Sequence, residues 1–149
     1  MIIEELKKVF LKDLAKLKEE IGLYQSESNI WKVEKGIANS AGNLCLHLIG
    51  NLNHFIGVVI GKTNYVRNRE AEFSLKNIPQ KDLVRMVEET VVVVDKALTS
   101  MIDQQLEAEY PLLVLKEKTS TGYFLFHLSS HLGYHLGQIN YHRRLIDTD

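Results

Sequence analysis

Apolar residues return every three or four positions along most of this chain, and that rhythm marks out four segments. In residues 2–25, Ile3, Leu6, Phe10, Leu14, Leu17 and Ile21 fall on one side and lysines and glutamates fill the other. Such a stripe predicts an amphipathic helix. Polar residues from Ser26 to Asn29 end it, and a connector with Trp31 and Gly36 follows. Trp31 is expected in the core. A second helix is expected from about Ser40 to about Gly61, with Leu44, His47, Leu48, Asn51, Phe55 and Val58 sharing a side. Residues 64–78 are polar and irregular, which is long for a link between packed helices, and long connections tend to carry function.

Pro79 fits the first turn of a third helix, where a missing N–H costs nothing. Its apolar stripe runs through Leu83, Met86, Val87, Val91, Val94, Leu98, Met101 and Ile102. The valines at 91–94 have strand propensity, but the helical spacing on both sides outweighs it. Residues 106–118 read equally as an extended turn or a short hairpin-like excursion. The fourth helix starts at Thr119 or Ser120 and reaches about Leu145, with Arg143 and Arg144 at its carboxyl end, where cations suit the dipole. Four long helices without a strong strand signal predict an all-α chain, a four-helix bundle.

Composition narrows the function more by exclusion than by assignment. At 149 residues the chain is expected to form a single domain over 1–149. Its 18 basic and 19 acidic residues give a net charge of −1 and are interleaved, so no basic stripe suggests nucleic-acid binding. The sequence isoelectric point is near 6.6. Cys45 is the sole cysteine and sits among apolar neighbours, which reads as packing in a reducing, cytoplasmic compartment. No apolar run approaches the ~20 residues of a membrane span, and the amino terminus lacks a signal-peptide core.

The chemistry lies in the histidines. All six, at 47, 54, 127, 131, 135 and 142, fall in the second and fourth helices. His131 and His135 are one turn apart and about 40° apart around the axis, a spacing that lets two ring nitrogens reach one ion. Phe124 and Leu128 occupy the same arc, so these imidazoles point with apolar side chains towards the interior. His47 would complete a three-histidine site if helices two and four pack together. From the pattern alone two readings stand, a shared metal or an imidazole-by-imidazole set of hydrogen bonds and waters. No carboxylate lies three residues before any histidine, against a di-iron site. Leu132 stands where a zinc protease helix needs glutamate. Three neutral imidazoles with open positions suit Zn²⁺, Ni²⁺ or Fe²⁺. Asn51 and Gln138 each lie one turn beyond a histidine, as supporting groups or as helix–helix hydrogen bonds, the latter favoured. Gly133 and Gly137 weaken the fourth helix by about 1 kcal/mol each, which close approach of another helix or a ligand would offset.

His131-x-x-x-His135-x-Gly137-Gln138, Leu44-x-x-His47-Leu48 and the following Gly50, Asn51 and Leu52 make the chain similar to the DinB superfamily of metal-dependent helical proteins. Residues from Arg67 to Phe73 resemble a stretch found in one uncharacterised branch of it. The resemblance implies a bundle with a long crossover between helices two and three. It also implies His47, His131 and His135 as ligands of a divalent metal, and a homodimer. His54, His127 and His142 do not match the motif and are expected to be structural or peripheral. Some members are thiol S-transferases that direct a low-molecular-weight thiol at an electrophile, and others have no established activity. Two functional readings follow, a metal-dependent thiol S-transferase and a non-catalytic metal-binding or stress-response protein.

Overall fold

A computed structural model describes residues 1–148 of the chain. Among the described residues there are five α-helices: α1 (Ile2–Gly22), α2 (Ala41–Leu52), α3 (Arg69–Ser74), α4 (Gln80–Thr99) and α5 (Thr121–Ile146). No strand occurs among them, only one antiparallel bridge between Glu109 and Ser120. Both α1 and α2 pack against both α4 and α5, so the four long helices enclose one core.

The apolar stripe of α1 is wholly buried, from Ile3 to Ile21. Its first turn is closed from a distance: the Asp103 carboxylate accepts hydrogen bonds from the backbone N–H groups of Ile2 and Ile3, both 3.0 Å. Ser40 and Ser120 cap α2 and α5 more locally, each accepting from the backbone three residues on. The helix expected over 2–25 stops at Gly22, because Tyr24 turns inward to His142. Trp31 is core, as expected. Its ring lies so close to α2 that a Cβ on Gly42 would stand 2.6 Å from it.

Three further expected boundaries shift. Helix two is α-helical only to Leu52, after which Asn53–Val58 widen into a π turn. Buried Tyr110 donates its hydroxyl to the Phe55 carbonyl at 2.6 Å inside that turn. Pro79 sits just before α4 with an extended ψ of 139°, not in its first turn, and the Gln80 N–H is taken by Glu27. At the other end α4 stops at Thr99, so Met101 and Ile102 lie beyond it, and Ile102 is exposed rather than core. Thr90 joins the buried face instead. Residues 106–118 form the hairpin-like excursion: Tyr110 N donates to Thr119 O at 2.8 Å and Thr121 N to Ala108 O at 2.7 Å.

The polar connection between α2 and α4 is not structureless. Asn68 caps α3, and the Asn43 side-chain amide of α2 donates to the carbonyls of Glu72 and Leu75, both at 2.9 Å. This clamps α3 against α2. The last helix, α5, carries no Asp, Glu, Lys or Arg from Thr121 to His142, and Tyr123, Phe126, Tyr134 and Tyr141 on it are exposed. Its end is tied down by Arg143 and Asn140, which both donate at 2.7 Å to the buried carboxylate of Glu20.

Candidate metal centre

Helices α2 and α5 pack together, and this brings His47, His131 and His135 to one point. The Nε2 atom of His131 lies 3.2 Å from that of His47 and 3.1 Å from that of His135. One nitrogen from each ring falls within 4.8 Å of the others. Ligands about 2.0–2.1 Å from a tetrahedral ion stand about 3.3–3.4 Å apart, so the two short separations match a shared divalent cation. A pair near the 4.8 Å limit would have to close by more than about 1 Å on binding.

Electrostatics favour the neutral form of two of the rings, His131 and His47. Burial, then the neighbouring imidazoles, push His131 down from the usual histidine value to about 4. Burial also lowers His47, with the Glu72 carboxylate opposing the shift. Neutral imidazoles carry the lone pairs that a metal needs.

For two of the rings the far side decides which nitrogen is bare. The His47 Nδ1–H donates to Glu72 Oε1 at 3.0 Å, leaving its Nε2 as an acceptor towards the other two. His135 Nδ1–H donates to Gln138 Oε1 at 2.7 Å in the same sense. His131 Nδ1 is buried with no partner among the described residues. Gln138 thus backs a candidate ligand. Asn51 does not form the expected helix–helix bond through its carbonyl: Asn51 Oδ1 is also buried and unpartnered. It shares α2 with His47, whose ring is occupied by Glu72.

The remaining histidines separate from this cluster. His142 is structural: its Nε2–H donates to Lys32 O at 2.8 Å and its Nδ1 accepts from the Tyr24 hydroxyl at 2.6 Å. His54 packs on Phe55, and His127 stacks 6.4 Å from His131 without joining the ligand set. Cys45 is fully buried, and burial pushes its thiol up to about 12, far from a reactive thiolate. The expected close approach at Gly133 and Gly137 is absent among the described residues. A Cβ on Gly133 would meet only Asp13 at 3.8 Å, and one on Gly137 would meet nothing, because both glycines face outward.

Two residues with no role in the sequence reading stand directly behind the site. Glu72, from α3, is 5% exposed. Arg67 grips it with two bonds, Nε to Oε2 at 2.9 Å and Nη2 to Oε1 at 3.0 Å. The guanidinium also lies 5.5 Å above the Phe55 ring. Room for the carboxylate comes from Gly50 of α2, where a Cβ would stand 1.8 Å from Glu72 Oε2. Glu72 lies at no helical spacing from a histidine and reaches His47 from 25 residues downstream. The usable signals were a glycine inside a strongly apolar helix and an acid-and-arginine cluster inside an overlong connection.

An all-α chain with three convergent imidazoles is therefore the class that fold and site define. Residues 3–149 match the family described as "Protein of unknown function (DUF1572)", and the chain belongs to that family. No curated protein and no solved structure matches it. Among the described residues no helix is long and apolar enough to cross a membrane.

Proposed function

We propose that this chain is a DinB-like four-helix bundle, with its long crossover between α2 and α4, that holds a divalent metal ion on His47, His131 and His135 and promotes thiol transfer to an electrophile. The convergence of three imidazole Nε2 atoms, 3.1 and 3.2 Å apart along the chain of contacts, carries the metal-binding part. A bound Zn²⁺, Ni²⁺ or Fe²⁺ would supply Lewis acidity, which favours the thiolate form of a thiol at neutral pH. His47, His131 and His135 would hold the ion, and Gln138 orients His135 from behind. His131 and His135 are half-buried, which leaves the site reachable from solvent. Cys45 is unsuited to act as the nucleophile, so an external low-molecular-weight thiol fills that role.

Metal analysis of freshly purified protein, followed by a panel of cellular thiols with a chromogenic electrophile, tests both parts. Turnover requiring both thiol and metal, lost in His135→Ala and kept in Cys45→Ala, supports the transferase. Metal at one equivalent with no thiol reacting above the uncatalysed rate supports the non-catalytic metal-binding reading. Protein that takes up no divalent metal refutes both.

A further inference from the structure

A buried carboxylate is expensive, and this chain goes to some length to keep one. Glu72 is nearly sealed from solvent, its charge is matched by Arg67, and α2 gives up a side chain at Gly50 to make space for it. Glycine in a helix interior costs about 1 kcal/mol against alanine, so the space itself lowers the stability of α2. Arg67 alone would satisfy an ion pair anywhere along the connection. Here the oxygen that accepts from Arg67 Nη2 is shared with the rear nitrogen of His47, 3.0 Å away, while the guanidinium itself stands off at 3.5 Å from that nitrogen. The ionised carboxylate only accepts, so it selects the Nδ1–H form of the ring and leaves the Nε2 lone pair facing His131.

We propose that Glu72, held in place by Arg67, is a positioning residue for the three-histidine centre: it fixes the tautomer and the ring orientation of His47. The connection between α2 and α4 thereby becomes part of the metal site, with α3 as the platform and the Asn43 clamp as its anchor. The proposal rests on the metal-binding reading above, though not on thiol transfer. Outer-shell carboxylates behind ligating histidines are typically worth 10- to 100-fold in metal affinity, through ligand orientation and basicity.

The test uses the full chain and the variants Glu72→Leu, which removes the acceptor, and Glu72→Gln, which keeps an acceptor and removes the charge. Glu70→Gln, on the exposed side of α3, is the control. Long-range ¹H–¹⁵N correlation on metal-free protein reads the tautomer without any metal. Wild type is expected to show His47 protonated at Nδ1, and Glu72→Leu is expected to lose that preference. Zn²⁺ affinity, measured by competition with a chromophoric chelator, is expected to fall about 10- to 100-fold in Glu72→Leu and about tenfold in Glu72→Gln, with Glu70→Gln unchanged. Circular dichroism of the metal-free variants separates this from a purely structural role, which would lower the melting temperature and leave affinity alone. Should Glu72→Leu fail to fold, Glu72→Gln decides. Wild-type His47 protonated at Nε2, or both variants binding Zn²⁺ within about twofold of wild type, overturns the proposal while the metal site stands. Wild type that binds neither Zn²⁺ nor Co²⁺ refutes the metal-binding reading and this proposal with it.

Discussion

Gly50→Ala reverses the usual sign of a helical glycine substitution. In an ordinary helix interior the change adds about 0.8–1.0 kcal/mol of stability through backbone entropy. At position 50 the new Cβ would stand 1.8 Å from Glu72 Oε2 and 2.6 Å from its Cδ. To reach even the 3.0 Å lower limit of real contacts, the oxygen must retreat by about 1.2 Å (3.0 − 1.8). That motion pulls Oε2 off Arg67 Nε, now 2.9 Å away, and tilts Oε1 away from His47. Hydrogen bonds to charged groups are worth about 1.5–3 kcal/mol each. One such loss against the helical gain leaves about 0.5–2 kcal/mol of destabilisation, and loss of both contacts leaves more. Equilibrium urea unfolding in the presence of chelator reads this as a lower midpoint at unchanged slope. Gly137→Ala, on α5 with nothing near its Cβ position, is the matched control and should raise the midpoint by the helical increment of about 1 kcal/mol. A Gly50→Ala protein as stable as wild type, with Gly137→Ala behaving as stated, would refute the reasoning that Gly50 exists to seat the carboxylate.

Other outcomes follow from the same geometry. Zn²⁺ well above its dissociation constant should raise the melting temperature by mass action, by about 2.7 kcal/mol at a hundredfold excess, and His131→Ala should abolish the rise; an equal rise in that variant counts against the site. Folding lowers the proton affinities of His131, His47 and His142, so the unfolded chain binds more protons below the ordinary histidine range. Stability of chelated protein should therefore be full above about pH 6.5 and fall as pH drops towards about 4, the value for His131; denaturant midpoints across that window check the sign. The Cys45 thiol should resist an aromatic disulfide reagent in native protein and react only on unfolding. If the chain is the homodimer its resemblance implies, with α4 at the contact, Val92→Lys should shift sedimentation towards monomer, since Val92 is 65% exposed.

The helices and the ligand candidates were legible because each rests on a local period. A stripe such as Ile3 to Ile21 needs only an apolar partner to become a buried face, and a histidine pair at 131 and 135 carries its geometry within one turn. What stayed hidden depends on contacts between distant segments. The π turn after Leu52 is stabilised by Tyr110, 55 residues away from the carbonyl it bonds. No local pattern at 53–58 announces it. Glu72 is the same case with chemical weight: its role depends on Gly50, Arg67 and His47 meeting, and only the first is out of keeping with its own segment. Asn43 and Asp103, which pin α3 and cap α1, are likewise ordinary polar residues until the fold supplies their partners. Ile102 misled for the opposite reason, because the stripe continued in sequence after the helix had ended.

The uncharged outer face of α5 should influence how molecules of this protein meet one another in concentrated solution. Over more than five turns the helix offers tyrosines, a phenylalanine, serines and glycines to solvent and not one permanent charge to repel a neighbour. With a net charge of −1 at neutral pH, the rest of the surface adds little long-range repulsion. Weak attraction through these aromatic groups then acts almost unopposed. The osmotic second virial coefficient should turn negative as pH approaches the isoelectric point near 6.6 and recover on the alkaline side. A single lysine in place of Tyr134 should move it upward without touching the core, because that ring stands 66% exposed on the outside of the helix.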